Sequence, residues 1–212
     1  GRLGPSYLCQ RAAGGSGVVQ DLADTVDVRR GLIGDHLTRR YVRSGAFDGV
    51  QGTFNTVSRP TAVRARDDAS VYVASFGTNE VSLLSINGEV TQRYLGGVEG
   101  LDGPWDARLH ANGGLYVTEF NRDRVSVFND LGVRTAPFGT SGRAPGQLLG
   151  PQYLAFDQFG AVYVTEWANR RVSKFSADGE FLQAFPTPDD PLRRRPTGIV
   201  VRGEEVWVGD AQ

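Results

Sequence analysis

The sequence predicts an all-β protein, a β-propeller built from four-stranded antiparallel blades. Three observations predict it. One strand-like motif recurs as Val71-Tyr-Val-Ala-Ser-Phe76, Leu115-Tyr-Val-Thr-Glu-Phe120, Val162-Tyr-Val-Thr-Glu-Trp167 and Val206-Trp-Val-Gly-Asp210, with starts 44, 47 and 44 residues apart. A proline precedes each copy at nearly fixed distance: Pro60, Pro104, Pro151 and Pro196. Ten residues after the start of each of the first three copies comes another valine: Val81, Val125 and Val172. A repeat of about 45 residues that holds three markers in register is the period of a propeller blade.

The elements follow in order within each repeat. The innermost strand starts just after the proline, at 61–65, 105–109, 152–156 and 197–201. A tight turn follows, through Asn112-Gly-Gly114 or Asp157-Gln-Phe-Gly160, both of hairpin-forming composition. The aromatic-rich motif is the second strand, rich in residues that favour strands. The third strand is 81–84, 125–128 and 172–175. Turns at Asn87-Gly88, Asn129-Asp-Leu-Gly132 and Asp178-Gly179 lead to the outer strand, at 91–95, 133–138 and 181–185.

Upstream the repeat is degenerate. Gly17-Val-Val-Gln-Asp21 aligns with Gly198-Ile-Val-Val-Arg202, and Val26-Asp-Val28 falls 45 residues before Val71. Ser6-Tyr-Leu-Cys-Gln10 resembles an outer strand such as Arg93-Tyr-Leu95. The expected organisation is a single domain over 1–212: an outer strand at 6–10, a degenerate blade at 15–59, blades at 60–103, 104–150 and 151–195, and the first half of a further blade at 196–212. These are about four and a half blades. The expectation is a six-bladed ring with roughly one and a half blades beyond this sequence, because an open propeller leaves strand edges and blade faces uncovered. A five-bladed ring with a defective last blade is the other arrangement the count allows.

Composition narrows the function classes. The chain has 212 residues, 40% hydrophobic and 22% charged, and a net charge of −1, so no overall field recruits nucleic acid or anionic membrane. No apolar window is long enough to span a bilayer, so membrane insertion is not expected. The single cysteine, Cys9, makes no internal disulfide and leaves the compartment open. The chain starts at Gly1 and has no methionine, as expected of a processed product or fragment, and this tips the expected location toward secreted or extracytoplasmic. Lys174 is the only lysine, a bias that genome composition explains more simply than any need for guanidinium groups.

The motifs resemble those of the NHL-repeat β-propeller family. Tyr163-Val-Thr-Glu-Trp-Ala-Asn-Arg-Arg-Val-Ser-Lys-Phe175 is similar to the NHL signature of an aliphatic–aromatic strand, an acidic residue, Asn, Arg-Val and Phe, and 116–128 is nearly as close. The linker Phe138-Gly-Thr-Ser-Gly-Arg-Ala-Pro-Gly-Gln-Leu-Leu-Gly-Pro151 resembles the family's connection between blades, and Phe47-Asp-Gly-Val-Gln-Gly-Thr-Phe54 is a looser version. The best match runs from Pro60 to Gln212. It implies a propeller fold and is weak on function, since one fold hosts many activities.

The candidate site residues sit at equivalent repeat positions. Glu119, Glu166 and Asp210 end the second strand, with Asn121 and Asn169 close behind, and are expected to be structural braces. One place later stand Phe76, Phe120 and Trp167, flanked by Arg122, Arg124, Arg170 and Arg171. Aromatics repeated on one rim suit either partner binding or plugging the gaps between blades. Interleaved with arginine they also suit single-stranded RNA, though Glu80, Glu119, Asp123 and Glu166 offset much of that charge.

Some NHL-like relatives are lyases or lactone hydrolases, which by resemblance implies a divalent metal in the central channel held near the starts of the inner strands. At those positions only Asp106 is a candidate ligand, and one carboxylate does not make a metal site. His110 opens a turn, His36 lies in the degenerate blade, and Asp189-Asp-Pro-Leu-Arg-Arg-Arg-Pro196 fits a solvated linker. The leading expectation is therefore a non-catalytic scaffold with no cofactor, presenting its loop rims to a protein, peptide or glycan. A metal-dependent hydrolase or lyase is the alternative, and RNA binding a third. Oligomeric state is not specified by the sequence.

Overall fold

A computed structural model describes residues 58–66, 68, 70–85, 88–186 and 195–211, all within the unit Gly49–Gln212. The first sheet is β1 (Pro60–Ala65), β2 (Val71–Ser75), β3 (Glu80–Leu84) and β4 (Val90–Tyr94), paired antiparallel in sequence order. The second is β5 (Pro104–Leu109), β6 (Leu115–Glu119) and β7 (Arg124–Phe128). The third is β8 (Pro151–Phe156), β9 (Val162–Glu166), β10 (Arg171–Phe175) and β11 (Phe181–Pro186). A hairpin of β12 (Arg195–Arg202) and β13 (Glu205–Ala211) completes the described chain. The only helical turn among the described residues is the three-residue Gly97–Glu99.

The four inner strands lie side by side, β1 against β5, β5 against β8 and β8 against β12. Each inner strand shifts register near its proline, between Pro60 and Ala62, Pro104 and Ala107, Pro151 and Leu154, and Pro196 and Gly198. The cause is local: proline has no N–H to give the ladder, so it sits at a strand end or bulge.

The apolar core lies between sheets. One cluster joins Tyr72, Val81 and Tyr94 of the first sheet to Ala107, Leu115 and Phe128 of the second. A second joins Tyr116 and Val125 to Leu154, Val162 and Phe175, with Leu148 of the linker between them. A third joins Tyr163 and Val172 to Ile199. The second and third sheets thus pack through both faces, and their central strands β6 and β9 are buried at every residue. That is why they lack the polar alternation of a half-exposed strand. A single repeat has no closed core of its own, so stability comes from stacking neighbours.

The second sheet departs from the expected four strands. Instead of a regular outer strand at 133–138, the chain makes isolated bridges, Val125 with Phe138 and Phe128 with Arg134. Pro137 interrupts the donors along this edge, and the Arg134 side chain turns inward, with Nη2 reaching the Gly100 carbonyl at 2.6 Å. The expected outer strand at 6–10, the degenerate blade at 15–59 up to Val57, His36, Cys9 and most of the charged linker before Pro196 lie outside the described residues.

Candidate functional site

The rim at the proline ends of the inner strands is shaped by three four-residue hairpin loops, 76–79, 120–123 and 167–170. The last residue of each, Asn79, Asp123 and Arg170, is left-handed, with φ of 54°, 51° and 53°. Asn and Asp tolerate this conformation best among non-glycine residues, and here they do a second job. Asn79 Oδ1 accepts the Gly103 amide at 2.9 Å and Asp123 Oδ1 accepts the Gly150 amide at 2.7 Å, each from the residue just before the next inner strand. Within each blade the loop also ties to its own linker: Phe76 N–H donates to the Arg59 carbonyl, Phe120 N–H to Gly103 and Trp167 N–H to Gly150.

Two carboxylates stand behind these loops. Glu119 is fully buried and accepts from Arg124 Nε at 2.7 Å, Ser126 Oγ at 2.5 Å and the Asp102 amide at 2.9 Å. Glu166 repeats the pattern with Arg171 Nε at 2.6 Å, Ser173 Oγ at 2.6 Å and the Leu149 amide at 3.0 Å, and adds Asn169 Nδ2 at 2.5 Å. In the first blade the charge moves across the strand pair: Ser75 takes the first position, and its partner Glu80 accepts from Ser82 Oγ at 3.1 Å. Asn121 donates to Asp102 at 2.8 Å. The Asp210 side chain lies outside the described residues.

The arginines named on this rim point largely inward. Arg124 also reaches Glu99 at 2.9 Å, and Arg134 joins the same carboxylate at 2.8 Å. Although burial opposes its charge, hydrogen bonds to Glu119 and Glu99 hold the Arg124 guanidinium above its ordinary range. Arg122 donates to the Glu99 carbonyl at 2.8 Å, and Arg171 to the carbonyls of Arg143 and Gln147 at 2.8 and 2.6 Å. These guanidinium groups are committed to loops and carboxylates of the chain itself, and Arg170 too has a partner.

Phe76, Phe120 and Trp167 form a continuous row, joined by a fourth ring. Phe76 and Phe120 lie 6.4 Å apart and Phe120 and Trp167 6.3 Å, with Trp105 at 5.8 Å from Phe76 and 5.2 Å from Phe120. Arg59 covers Phe76 at 4.8 Å and Arg195 covers Trp167 at 3.4 Å. All four rings are half-buried. Their inner edges seat on the glycines before the prolines: a Cβ on Gly103 would meet Phe76 at 2.9 Å, and one on Gly150 would meet Phe120 at 3.2 Å. The rings thus seal the blade junctions and still present their outer edges. The role of Trp105 escaped the sequence, where it stood only as the residue after a proline.

On the inner strand β5, Asp106 is fully buried and bound from several sides. Arg64 grips it with Nε to Oδ1 and Nη2 to Oδ2, both at 2.8 Å, and the amides of Ala107 and Leu154 donate at 3.0 and 3.2 Å. Arg108 Nε lies 3.5 Å from Oδ2. A divalent ion at Asp106 would have to displace a two-pronged guanidinium, and among the described residues no three His, Cys, Asp or Glu side chains converge. The residues present do not fit a metal here. His110 is buried, in contact with the Gly160 carbonyl at 3.0 Å and edge-on to Phe156, so it locks a turn to the next blade.

Several solved structures are similar in fold. Virginiamycin B lyase from Staphylococcus aureus is similar over 72% of this chain and 49% of that one, at 16% identity and a TM-score of 0.59. The fold is that of a β-propeller. A streptogramin B lyase is similar over 67% of this chain and 44% of its own, at 20% identity and a TM-score of 0.55. A luciferin-regenerating enzyme matches over 72% of this chain and 53% of its own, at 14% identity and a TM-score of 0.56. The chain thus spans about half the length of the solved propellers it resembles. No protein-family model and no curated protein matches the sequence. At these identities the likeness concerns the propeller fold.

Proposed function

We propose that the chain is an NHL-type propeller module that acts without catalysis, binding a protein, peptide or glycan on the rim that carries Phe76, Trp105, Phe120 and Trp167. The observation behind this reading is the row itself: four half-buried rings in unbroken contact across three blades. Rigid aromatic edges offer apolar contact at low entropic cost. The arginines around the row are engaged internally, so the rim favours an uncharged, flat partner surface over a polyanion such as RNA. The experiment is a titration of oligosaccharide and peptide panels followed by tryptophan fluorescence, with Phe76→Ala, Phe120→Ala and Trp167→Ala as variants. Loss of binding in folded variants supports the reading. Folded variants that keep every interaction of the parent protein sink it.

A second reading, a lyase or hydrolase, has its support in the names of the similar propellers, two of them lyases. In this chain it requires a site other than Asp106. Turnover of a lactone that survives Asp106→Asn in a folded protein would favour it over the binding module.

A further inference from the structure

The far ends of the inner strands hold a second constellation. A cavity of about 470 Å³ opens there, lined among others by Arg64, Arg66, Asp68, Arg108, Leu109 and Phe156. Arg64 and Arg108 occupy equivalent positions in adjacent blades, pairing with Tyr72 and Tyr116 across their hairpins. Adjacent inner strands thus bring two guanidinium groups to one carboxylate. Arg64 holds Asp106 in both its forks. Arg108 is left with an ionic contact at 3.5 Å, and its buried Nε has no hydrogen-bond partner. No described residue accepts a hydrogen bond from its terminal nitrogens, and the side chain is 28% exposed toward the cavity. Arg66, the third cation, pairs with Asp68 at 3.6 Å, and Asp68 is itself held by the Ser70 amide at 3.0 Å.

Among the described residues, Arg64 and Arg108 share the one carboxylate of Asp106, and Arg66 contacts Asp68, which also lines the cavity. Burial lowers the proton affinity of Arg108 and Arg64 adds to the effect, with Asp106 offsetting them only in part. A guanidinium fork matches a carboxylate in geometry, and Arg108, left with only a 3.5 Å contact to the carboxylate that Arg64 holds, has its fork open to one such partner. Leu109 and Phe156 supply apolar walls beside the charge.

We propose that this cavity binds an organic monocarboxylate, its carboxylate on Arg108 and Arg66 and its apolar body against Leu109 and Phe156. The site lies at the opposite ends of the inner strands from the aromatic row and stands independently of it.

The test is isothermal titration of the full chain with phenylacetate, phenylacetamide and phenyl phosphate. Phenylacetate should bind with Kd on the order of 1 mM or tighter, weakening as salt rises. Phenylacetamide should bind at least about tenfold more weakly, as should phenylacetate to Arg108→Gln. Arg66→Gln provides a second reading should Arg108→Gln lose its circular dichroism spectrum. Equal affinity for the amide, tighter binding of phenyl phosphate, unchanged binding in a folded glutamine variant, or no heat with phenylacetate would each overturn the proposal.

Discussion

Arg64 and Asp106, 42 residues apart, meet in a two-pronged ion pair with both contacts at 2.8 Å, and it bridges the inner strands of neighbouring blades. The carboxylate is fully buried and the guanidinium 29% exposed, so the two ends of the pair are unequal. Removing Asp106 leaves Arg64 and Arg108 facing each other. Asp106→Ala should cost about 3–5 kcal/mol, measured as the shift of the urea unfolding midpoint. A loss under about 1 kcal/mol, the scale of a solvated pair, would show that the two blades do not depend on it.

Gly103 carries a φ of 62°, and an added Cβ would sit 2.9 Å from both Phe76 and Asn121. Both strain and contact oppose a side chain. Gly103→Ala should destabilise by about 1–3 kcal/mol, whereas the same change at Gly198, where a Cβ meets nothing within 4 Å, should cost well under that. Chemical denaturation of the two variants side by side checks the contrast.

Asn79 holds the glycine before β5 by one side-chain acceptor, and Asp123 holds the linker before β8 by two, Oδ1 to Gly150 and Oδ2 to Ser141. Asn79→Ala and Asp123→Ala should each lower stability by about 1 kcal/mol, with faster amide exchange at Gly103 and Gly150 respectively. Exchange that stays unchanged at those glycines would remove the inter-blade role.

Acid sensitivity should trace in part to Asp157. Burial alone would raise its pKa, but the amides of Ala161 and Phe159 and the Lys174 ammonium at 3.1 Å outweigh that and hold the carboxyl below its ordinary 3.8. A depressed folded-state value means stabilisation that is complete above 3.8 and fades as pH falls through the folded-state value. Asp157→Asn should therefore lower the melting temperature at neutral pH, and the two melting curves should converge below about pH 3.8. A gap that widens on acidification would reverse the sign of this coupling.

Much of the propeller was legible from residues close in sequence. The Val-Tyr-Val-Thr-Glu strands, the prolines that open the inner strands and the turns at Asn112-Gly-Gly114 and Asp157–Gly160 all declare themselves locally, because strand propensity, a missing N–H and positive φ are properties of single residues. The outer strand expected at 133–138 forms only as bridges to β7, in part because of the local Pro137 and in part for a reason that is not local: Arg134 turns inward to Gly100 and Glu119, 34 and 15 residues away.

The sequence by itself determined the repeat, the strand order within each blade and the places where Glu119, Glu166, Phe76, Phe120 and Trp167 recur. Only the tertiary structure decided what those residues touch. It joined Trp105 to the aromatic row, turned Arg124 and Arg171 inward, and took Asp106 from the list of candidate metal ligands by giving it Arg64. The physical reason is that each sheet buries its faces against the next, so the partner of a side chain is set by the stacking of one blade on another, about 45 residues away, and no local pattern records that distance.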